Sequence, residues 1–136
     1  MPAQSEAQQP GTRFSAFVRA SIALQTVAIF LQAVSAGLLL SAQHGDLMHS
    51  VGARVMYGMS MLYVLAAVLA WRPGGASPRP VLYATGFLLL ASLQVVLGIA
   101  HVLSLHVPLG ILMFGLSVLD LGRVLTRSGV RATVTA

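Results

Sequence analysis

Several residue types that build familiar functional sites are missing from this chain. It has no cysteine, which excludes disulfides, thiolate metal sites and covalent haem attachment through a Cys-x-x-Cys-His motif. It has no lysine either, and its acidic residues are Glu6, Asp46 and Asp120. The sequence contains no Ser-His-Asp pattern, no carboxylate pair and no glycine-rich phosphate loop. These absences do not favour an enzyme that acts on its own.

Charge is also scarce. Charged residues make up 8% of the 136 residues, whereas hydrophobic residues make up 57%. A soluble domain carries roughly 25% charged residues, so this chain has too few to cover a water-exposed surface. Apolar runs of about 20 residues, the length that spans a bilayer as a helix, recur along it. We therefore expect an all-α integral membrane protein with a single compact domain.

Four apolar segments are predicted to span the membrane, and they are separated by breaks at 42–48 and 72–80 and by a very short turn around 102–105. The stretch "RPGGASPRP" (72–80) is the clearest break, and Pro80 suits the first turn of the helix that follows. A disordered cytoplasmic tail is predicted at 1–12 and another cytoplasmic tail at 125–136. The transmembrane domain between them, 13–124, contains predicted spans at about 14–41, 49–71, 80–101 and 106–123.

The arginines predict the orientation of these spans. Apart from Arg54, they lie in the N-terminal region, in the 72–80 loop and in the C-terminal region. Positive residues are retained in the cytoplasm, so we predict a multi-pass protein of the cell membrane with both termini cytoplasmic. In a soluble protein a pI near 11 would suggest a nucleic-acid partner. Here the arginines act as topology signals, and no nucleic acid is expected.

An internal repeat covers both halves of the chain. The segment "LHVPLGILMFGLSV" (105–118) follows the pattern of "MHSVGARVMYGMSM" (48–61), and "SLQVVLGIAHV" (92–102) resembles "FLQAVSAGLLL" (30–40). Two similar hairpins inserted in the same direction form a parallel repeat about the membrane normal. We therefore predict an antiparallel four-helix transmembrane bundle built from two repeated helical hairpins. The repeated identities are His49/His106, Met56/Met113, Gly58/Gly115 and Ser60/Ser117.

Each repeated histidine heads a stripe of residues on one helix face. Helical spacing places a tiny residue, a methionine and a serine below it, and the tiny residues are Ala53 and Gly110. A tiny residue one turn below a histidine leaves space for a flat group, such as a porphyrin held by His49 and His106 on facing helices. Small residues are also simply how membrane helices pack. The pattern alone leaves both interpretations open.

Three further polar residues lie within the predicted spans. Gln32 and Gln94 lie near mid-span, where there is no water to satisfy an amide. We expect both to face inward and to hydrogen-bond across helices; contact with a cofactor is the alternative. Arg54 lies a turn and a half into the second span. It either snorkels to the outer surface or meets an anionic group such as a haem propionate.

Two more histidines, His44 and His101, precede His49 and His106 by five positions each. That spacing does not place two side chains on one helix face. Together the four imidazoles would form a copper or zinc site on the outer side of the membrane. Alternatively, His44 and His101 are interfacial polar residues without a ligand role.

The order of these features resembles one four-helix half of the haem A synthase family. A glutamine-bearing helix, an outer loop and a helix that begins with histidine occur twice. The resemblance covers about 20–123 and is clearest over "LQVVLGIAHVLSLHVPLGILMFGLSVLD" (93–120). Small uncharacterised four-helix bacterial membrane proteins have the same design. The resemblance implies that His49 and His106 ligate haem.

The chain departs from the synthase motif Glu-x-x-His-Arg. Asp46 occupies the acidic position, but Ser50 stands where the arginine is expected. In the second hairpin Leu103 and Val107 stand at these two places. The resemblance therefore implies haem b binding rather than synthase activity.

Three functional interpretations follow. The leading one is a b-type haem-binding membrane protein that transfers electrons or handles haem beside the respiratory chain. The others are a cofactor-free accessory or structural subunit and an outer-face copper or zinc protein. The expected partners are the lipid bilayer and respiratory-chain membrane proteins or quinone, and a homodimer is left open. The candidate cofactor-binding residues are His49, His106, Gly110, Ala53, Gln32, Gln94 and Arg54, with His44 and His101 as secondary metal ligands.

Overall fold

The computed structural model describes residues 10–41 and 45–134, and side chains within 15–41 and 45–126. This part of the chain is helical apart from short connections. An α-helix satisfies every backbone hydrogen bond within its own segment, which suits sequences with few polar side chains. The helices are α1 (Pro10–Ser41), α2 (Gly45–Trp71), α3 (Arg79–Ile99) and α4 (Leu103–Val134).

The prediction of four long apolar helices is confirmed. Each helix contains a stretch that is long and apolar enough to cross a membrane, since a bilayer core of about 30 Å needs about 20 helical residues. These stretches are Ser15–Ser41, Gly45–Trp71, Arg79–Ile99 and Leu103–Thr126.

Several helix ends differ from the predicted spans. Helix α2 begins at Gly45, one turn before His49, and Asp46 lies in its first turn. An acidic side chain there favours an early start, because it complements the positive end of the helix dipole. Helix α4 begins at Leu103 and continues to Val134, beyond the predicted end of the span at 123. Between Pro108, near the start of α4, and the end of the helix there is no further proline, so no strong helix breaker ends α4 at 123.

The four helices pack in a ring. Within the described ranges α2 contacts α1 and α3, and α4 contacts α3 and α1. Helices α2 and α4 are therefore diagonal to each other, and only their side chains meet near the axis. The contact between α1 and α2 is the most extensive. The small residues Ala66, Ala67 and Ala70 of α2 belong to the buried core that α2 forms with its neighbours, where small side chains let helix backbones approach.

The buried apolar residues form two clusters along the bundle. The first surrounds Tyr63, which is 1% exposed, and includes Ile22 and Ala84. The second surrounds Met56 and Met113 and includes Phe87 and Ala91. The repeated methionines therefore pack together in the core rather than pointing outward.

The connection between α2 and α3 corresponds to the predicted loop. Gly75 has φ 66°, a left-handed conformation that glycine adopts without steric penalty. Pro80 lies in the first turn of α3, where a missing N–H breaks no helical hydrogen bond. The Arg72 guanidinium lies over the Trp71 ring, 4.7 Å from its centroid.

Candidate functional site

His49 and His106 face each other across the bundle. Their ring centroids are 6.3 Å apart and their planes are inclined by 66°. His49 lies in the second turn of α2 and His106 in the first turn of α4, so the two diagonal helices meet here through imidazoles. Both side chains are partly buried. The sequence repeat therefore places its two histidines side by side in space.

The surroundings of His106 orient its ring. His106 Nδ1 lies 3.0 Å from the Gln94 carbonyl oxygen, and Gln94 Nε2 donates to the His106 carbonyl oxygen at 2.8 Å. A carbonyl only accepts, so Nδ1 carries the proton and Nε2 keeps its lone pair. Gly98 lies against the ring: a Cβ there would be 3.2 Å from His106 Cε1. This glycine lets α3 approach the imidazole closely.

Similar contacts surround His49. Ser35 Oγ donates to the Gln32 carbonyl oxygen at 2.8 Å and lies 3.1 Å from His49 Nδ1. The Ser35 hydroxyl of α1 therefore engages His49 Nδ1 on α2. Gln32 Nε2 donates to the His49 carbonyl oxygen at 3.0 Å. It also lies 3.2 Å and 3.3 Å from the two ring nitrogens, so the amide lies over the imidazole ring.

The two glutamines therefore bridge neighbouring helices, as expected for amides within apolar spans. Gln32 joins α1 to α2, and Gln94 joins α3 to α4. Gln94 is only partly satisfied, because its buried Oε1 has no hydrogen-bond partner. Gln25 Oε1, deeper in the bundle, is also buried without a partner.

We expect Gln32→Leu and Gln94→Leu each to lower thermal stability by about 1 kcal/mol or less, the usual size of an interhelical hydrogen bond in a membrane. The effect of Gln94→Leu should be the smaller, because this change also removes an unpartnered buried oxygen. Thermal unfolding in detergent measures both, with Leu93→Met on the exposed side of α3 as the control. Unchanged stability together with a shifted spectrum of a bound chromophore would instead assign the glutamines to a cofactor.

The stripe below the histidines faces the bundle interior. Met56, Met113, Ser60 and Ser117 are all buried. Ser117 Oγ is 2.7 Å from Thr26 Oγ1 and joins α4 to α1.

The space next to Gly110, the tiny residue one turn below His106, holds a side chain in this structure rather than the flat group that the sequence suggests. A Cβ at Gly110 would lie 2.9 Å from Gln94 Nε2. The Gln94 amide therefore occupies the space next to Gly110. Ala53, its counterpart on α2, is partly buried.

The other candidate residues do not join the histidine pair. His44 lies outside the described residues. Arg54 is exposed on α2. His101 is exposed in the turn between α3 and α4. Within 10–41 and 45–134, no group of three or more His, Asp or Glu residues is placed to hold a metal ion.

His101 has a conformational role in this turn. Its φ is 54°, and its N–H bonds to the Gly98 carbonyl while the Val102 N–H bonds to the Leu97 carbonyl. These two bonds define a Schellman motif, in which the left-handed residue is usually glycine. Histidine adopts this conformation more readily than most residues but at a higher energy than glycine.

His101→Gly should therefore raise thermal stability by about 1 kcal/mol, the order of the left-handed penalty that it removes. His101→Val is the matched control and should lower stability, because a β-branched residue tolerates positive φ poorly. Unfolding midpoints of the two variants in detergent test the assignment. A destabilised glycine variant would contradict it and would point to a contact made by the imidazole.

A contact at the other end of the stripes was not anticipated from the sequence. Tyr63 Oη donates to Asp120 Oδ2 at 2.7 Å, and the two residues are 57 positions apart. This separation equals that of His49 and His106. The offset of the sequence repeat could have indicated this pair. The two residues are not identical, however, so they are not among the repeated identities. Ser35, which contacts His49, was not predicted as a site residue, because the second hairpin has no serine at the equivalent position after Gln94.

Comparison with known protein families, curated proteins and solved structures gives no match to this chain. The chemistry of the site is therefore argued from its own residues. It consists of two partly buried imidazoles, each with an oxygen within hydrogen-bond distance of its Nδ1. Such an arrangement is suited to binding a metal centre between two helices.

Proposed function

We propose that this protein is an integral membrane protein that binds one b-type haem through His49 and His106. One observation carries the proposal: the two imidazoles face each other at 6.3 Å, and each has its Nδ1 engaged by an oxygen. Histidine ligands of metals almost always donate their second ring nitrogen to such a partner, which fixes the tautomer and the ring orientation.

The spacing of the rings fits one metal atom between them. An imidazole nitrogen binds a transition metal at about 2 Å, so two opposed ligands have nitrogens about 4 Å apart and ring centres about 6 Å apart. The observed separation is close to this value. When bound, haem iron with two imidazole ligands supplies one-electron redox chemistry without an open coordination position.

The chain's own residues would hold and orient such a group. The carbonyl of Gln94 and the hydroxyl of Ser35 orient the two ligands. The Gln94 amide, whose Oε1 lacks a partner, lies where a macrocycle would approach Gly110 and would move to admit it. On α2 the Gln32 amide lies against His49 and next to Gly52, and Ala53 lies one turn below His49 and would face the group. Arg54, exposed on α2 five positions after His49, would serve a propionate at the edge of the group.

Membrane insertion is part of the same proposal. Large apolar side chains on every helix are exposed, among them Leu40 (82%), Leu82 (71%), Ile99 (75%) and Ile111 (70%). Soluble monomers rarely expose such a continuous apolar surface. We place the helices in the cell membrane as two repeated antiparallel hairpins with both termini cytoplasmic. The haem would then lie near the outer leaflet, accessible to a respiratory-chain membrane protein or quinone.

A visible spectrum of the purified protein, expressed with ample haem supply, tests the proposal. We expect a Soret band, sharp α and β bands after reduction, and the low-spin signature of two histidine ligands. A featureless spectrum from folded protein would contradict haem binding.

A cofactor-free accessory subunit is the second candidate. It is favoured by the position of the Gln94 amide next to Gly110, which already fills the space that a porphyrin needs. On this alternative the glutamine–histidine bonds serve only to join helices. A copper or zinc site has weaker support, since a third ligand would have to come from His44 or from a second copy of the chain.

A further inference from the structure

A second polar site lies at the opposite end of the bundle from the histidines. A cavity of about 170 Å³ opens between α2, α3 and α4. This volume exceeds the share of one liquid water, about 30 Å³, several-fold. Its polar lining consists of Tyr63, Arg79, Tyr83, Asp120 and Arg123.

The charge of this lining is positive. Two arginines and one aspartate belong to the lining, and the Asp120 carboxylate already accepts a hydrogen bond from Tyr63 Oη at 2.7 Å. The cavity also borders the first turn of α3, which contains no acidic residue. No carboxylate of α3 therefore neutralises the positive end of its helix dipole.

The arrangement differs from that of arginines that serve only as topology signals. Arg79 and Arg123 are distant in sequence and belong to different helices, yet both line one cavity. Arg72, in the connection that precedes α3, instead lies over the Trp71 ring. Two arginines in the lining of one cavity favour a phosphate, which arginine binds through paired charge-assisted hydrogen bonds.

We propose that this cavity binds a phosphate-bearing anion between Arg79 and Arg123. The tyrosine hydroxyl of Tyr83 is available as a further donor at its rim. Two sources share this chemistry: the headgroup of an anionic phospholipid and free inorganic phosphate. Basic pockets between transmembrane helices on the cytoplasmic side bind anionic headgroups, so the lipid is the expected source. The inference rests on the proposed membrane orientation and does not depend on haem.

The test measures the unfolding midpoint of the purified full-length chain in neutral detergent. Phosphatidylglycerol should raise the midpoint, and phosphatidylcholine should have little effect. Arg79→Gln and Arg123→Gln should each abolish the rise. Arg72→Gln is the matched control, because it removes the same charge at the same end of the bundle from a residue that does not line the cavity, and its response should equal that of the wild type.

Asp120→Asn keeps an acceptor for Tyr63 while removing the negative charge from the cavity. It should therefore lower the phosphatidylglycerol concentration needed for half of the effect several-fold. This gain of binding is informative even if an arginine variant fails to fold.

Inorganic phosphate at constant ionic strength separates the two sources. If phosphate alone reproduces the stabilisation, the ligand is the soluble anion. The proposal is overturned if Arg72→Gln loses the response as fully as the cavity variants, because diffuse charge then explains it. It is also overturned if neither phosphatidylglycerol nor phosphate stabilises the wild type. Neither result bears on the visible spectrum, so the haem proposal stands or fails separately.

Discussion

His49→Ala and His106→Ala should each reduce retained haem to about a tenth of the wild-type level or less. Removing even an outer-shell partner of a metal ligand costs about 10–100-fold in affinity, and loss of the ligand itself should cost at least as much. The measurement is the ratio of Soret to protein absorbance after purification. The residual signal should change from low spin toward high spin, because one axial position is vacated.

His101→Ala is the matched control, since His101 is exposed in the turn between α3 and α4. It should leave the low-spin spectrum intact, and so should His44→Ala. Gly110→Leu is a sharper probe, because it keeps both ligands and places a side chain where the Gln94 amide now lies and where a macrocycle would enter. We expect loss of haem from protein that still inserts. Undiminished haem in the glycine variant and in both ligand variants would show that the assignment is wrong.

Reporter proteins fused into the 72–80 loop and at the C-terminus should be active only if they are of the kind that works in the cytoplasm. A reporter in the 42–48 segment should be active only outside. The reason is that Arg72, Arg79 and Arg123 lie toward the same end of the bundle, and arginine-rich ends are retained in the cytoplasm. Paired alkaline phosphatase and fluorescent-protein fusions give nearly all-or-none signals at each position.

The opposite pattern of signals would invert the orientation. The histidine pair would then lie at the inner leaflet and the arginine-lined cavity at the outer one. Arg72→Gln combined with Arg79→Gln is a useful companion variant. If the arginines dictate orientation, it should yield a mixed population of reporters.

Some of this arrangement could be predicted from the sequence because it depends on composition and periodicity. Four apolar runs can satisfy their backbones only as helices when water is absent. A glutamine in such a run must find a partner, and both Gln32 and Gln94 do so across a helix pair. The helical spacing also indicated correctly that Met56 and Met113 would share a buried face with their serines.

Other features depend on side-chain conformations that periodicity does not specify. A glycine at position 110 is equally compatible with space for a cofactor and with close approach of another side chain. In the structure the amide of Gln94 takes that space. Similarly, nothing in the pattern around His101 distinguishes a metal ligand from a residue in the left-handed region. Its φ of 54° and the two flanking hydrogen bonds identify it as a turn residue.

The bond between Tyr63 and Asp120 makes the two halves of the chain distinguishable partners. At the histidine end the paired residues are identical, so a half would recognise a copy of itself as well as the other half. At the tyrosine end, two copies of the second half in the same arrangement would bring two carboxylates together without a phenol to donate to either of them, and like charges at short distance repel. Two copies of the first half would bring together two phenols and no carboxylate. This unlike pair therefore favours the association of a first half with a second half. When the two halves are produced as separate chains and mixed, they should assemble one of each kind in preference to two of the same.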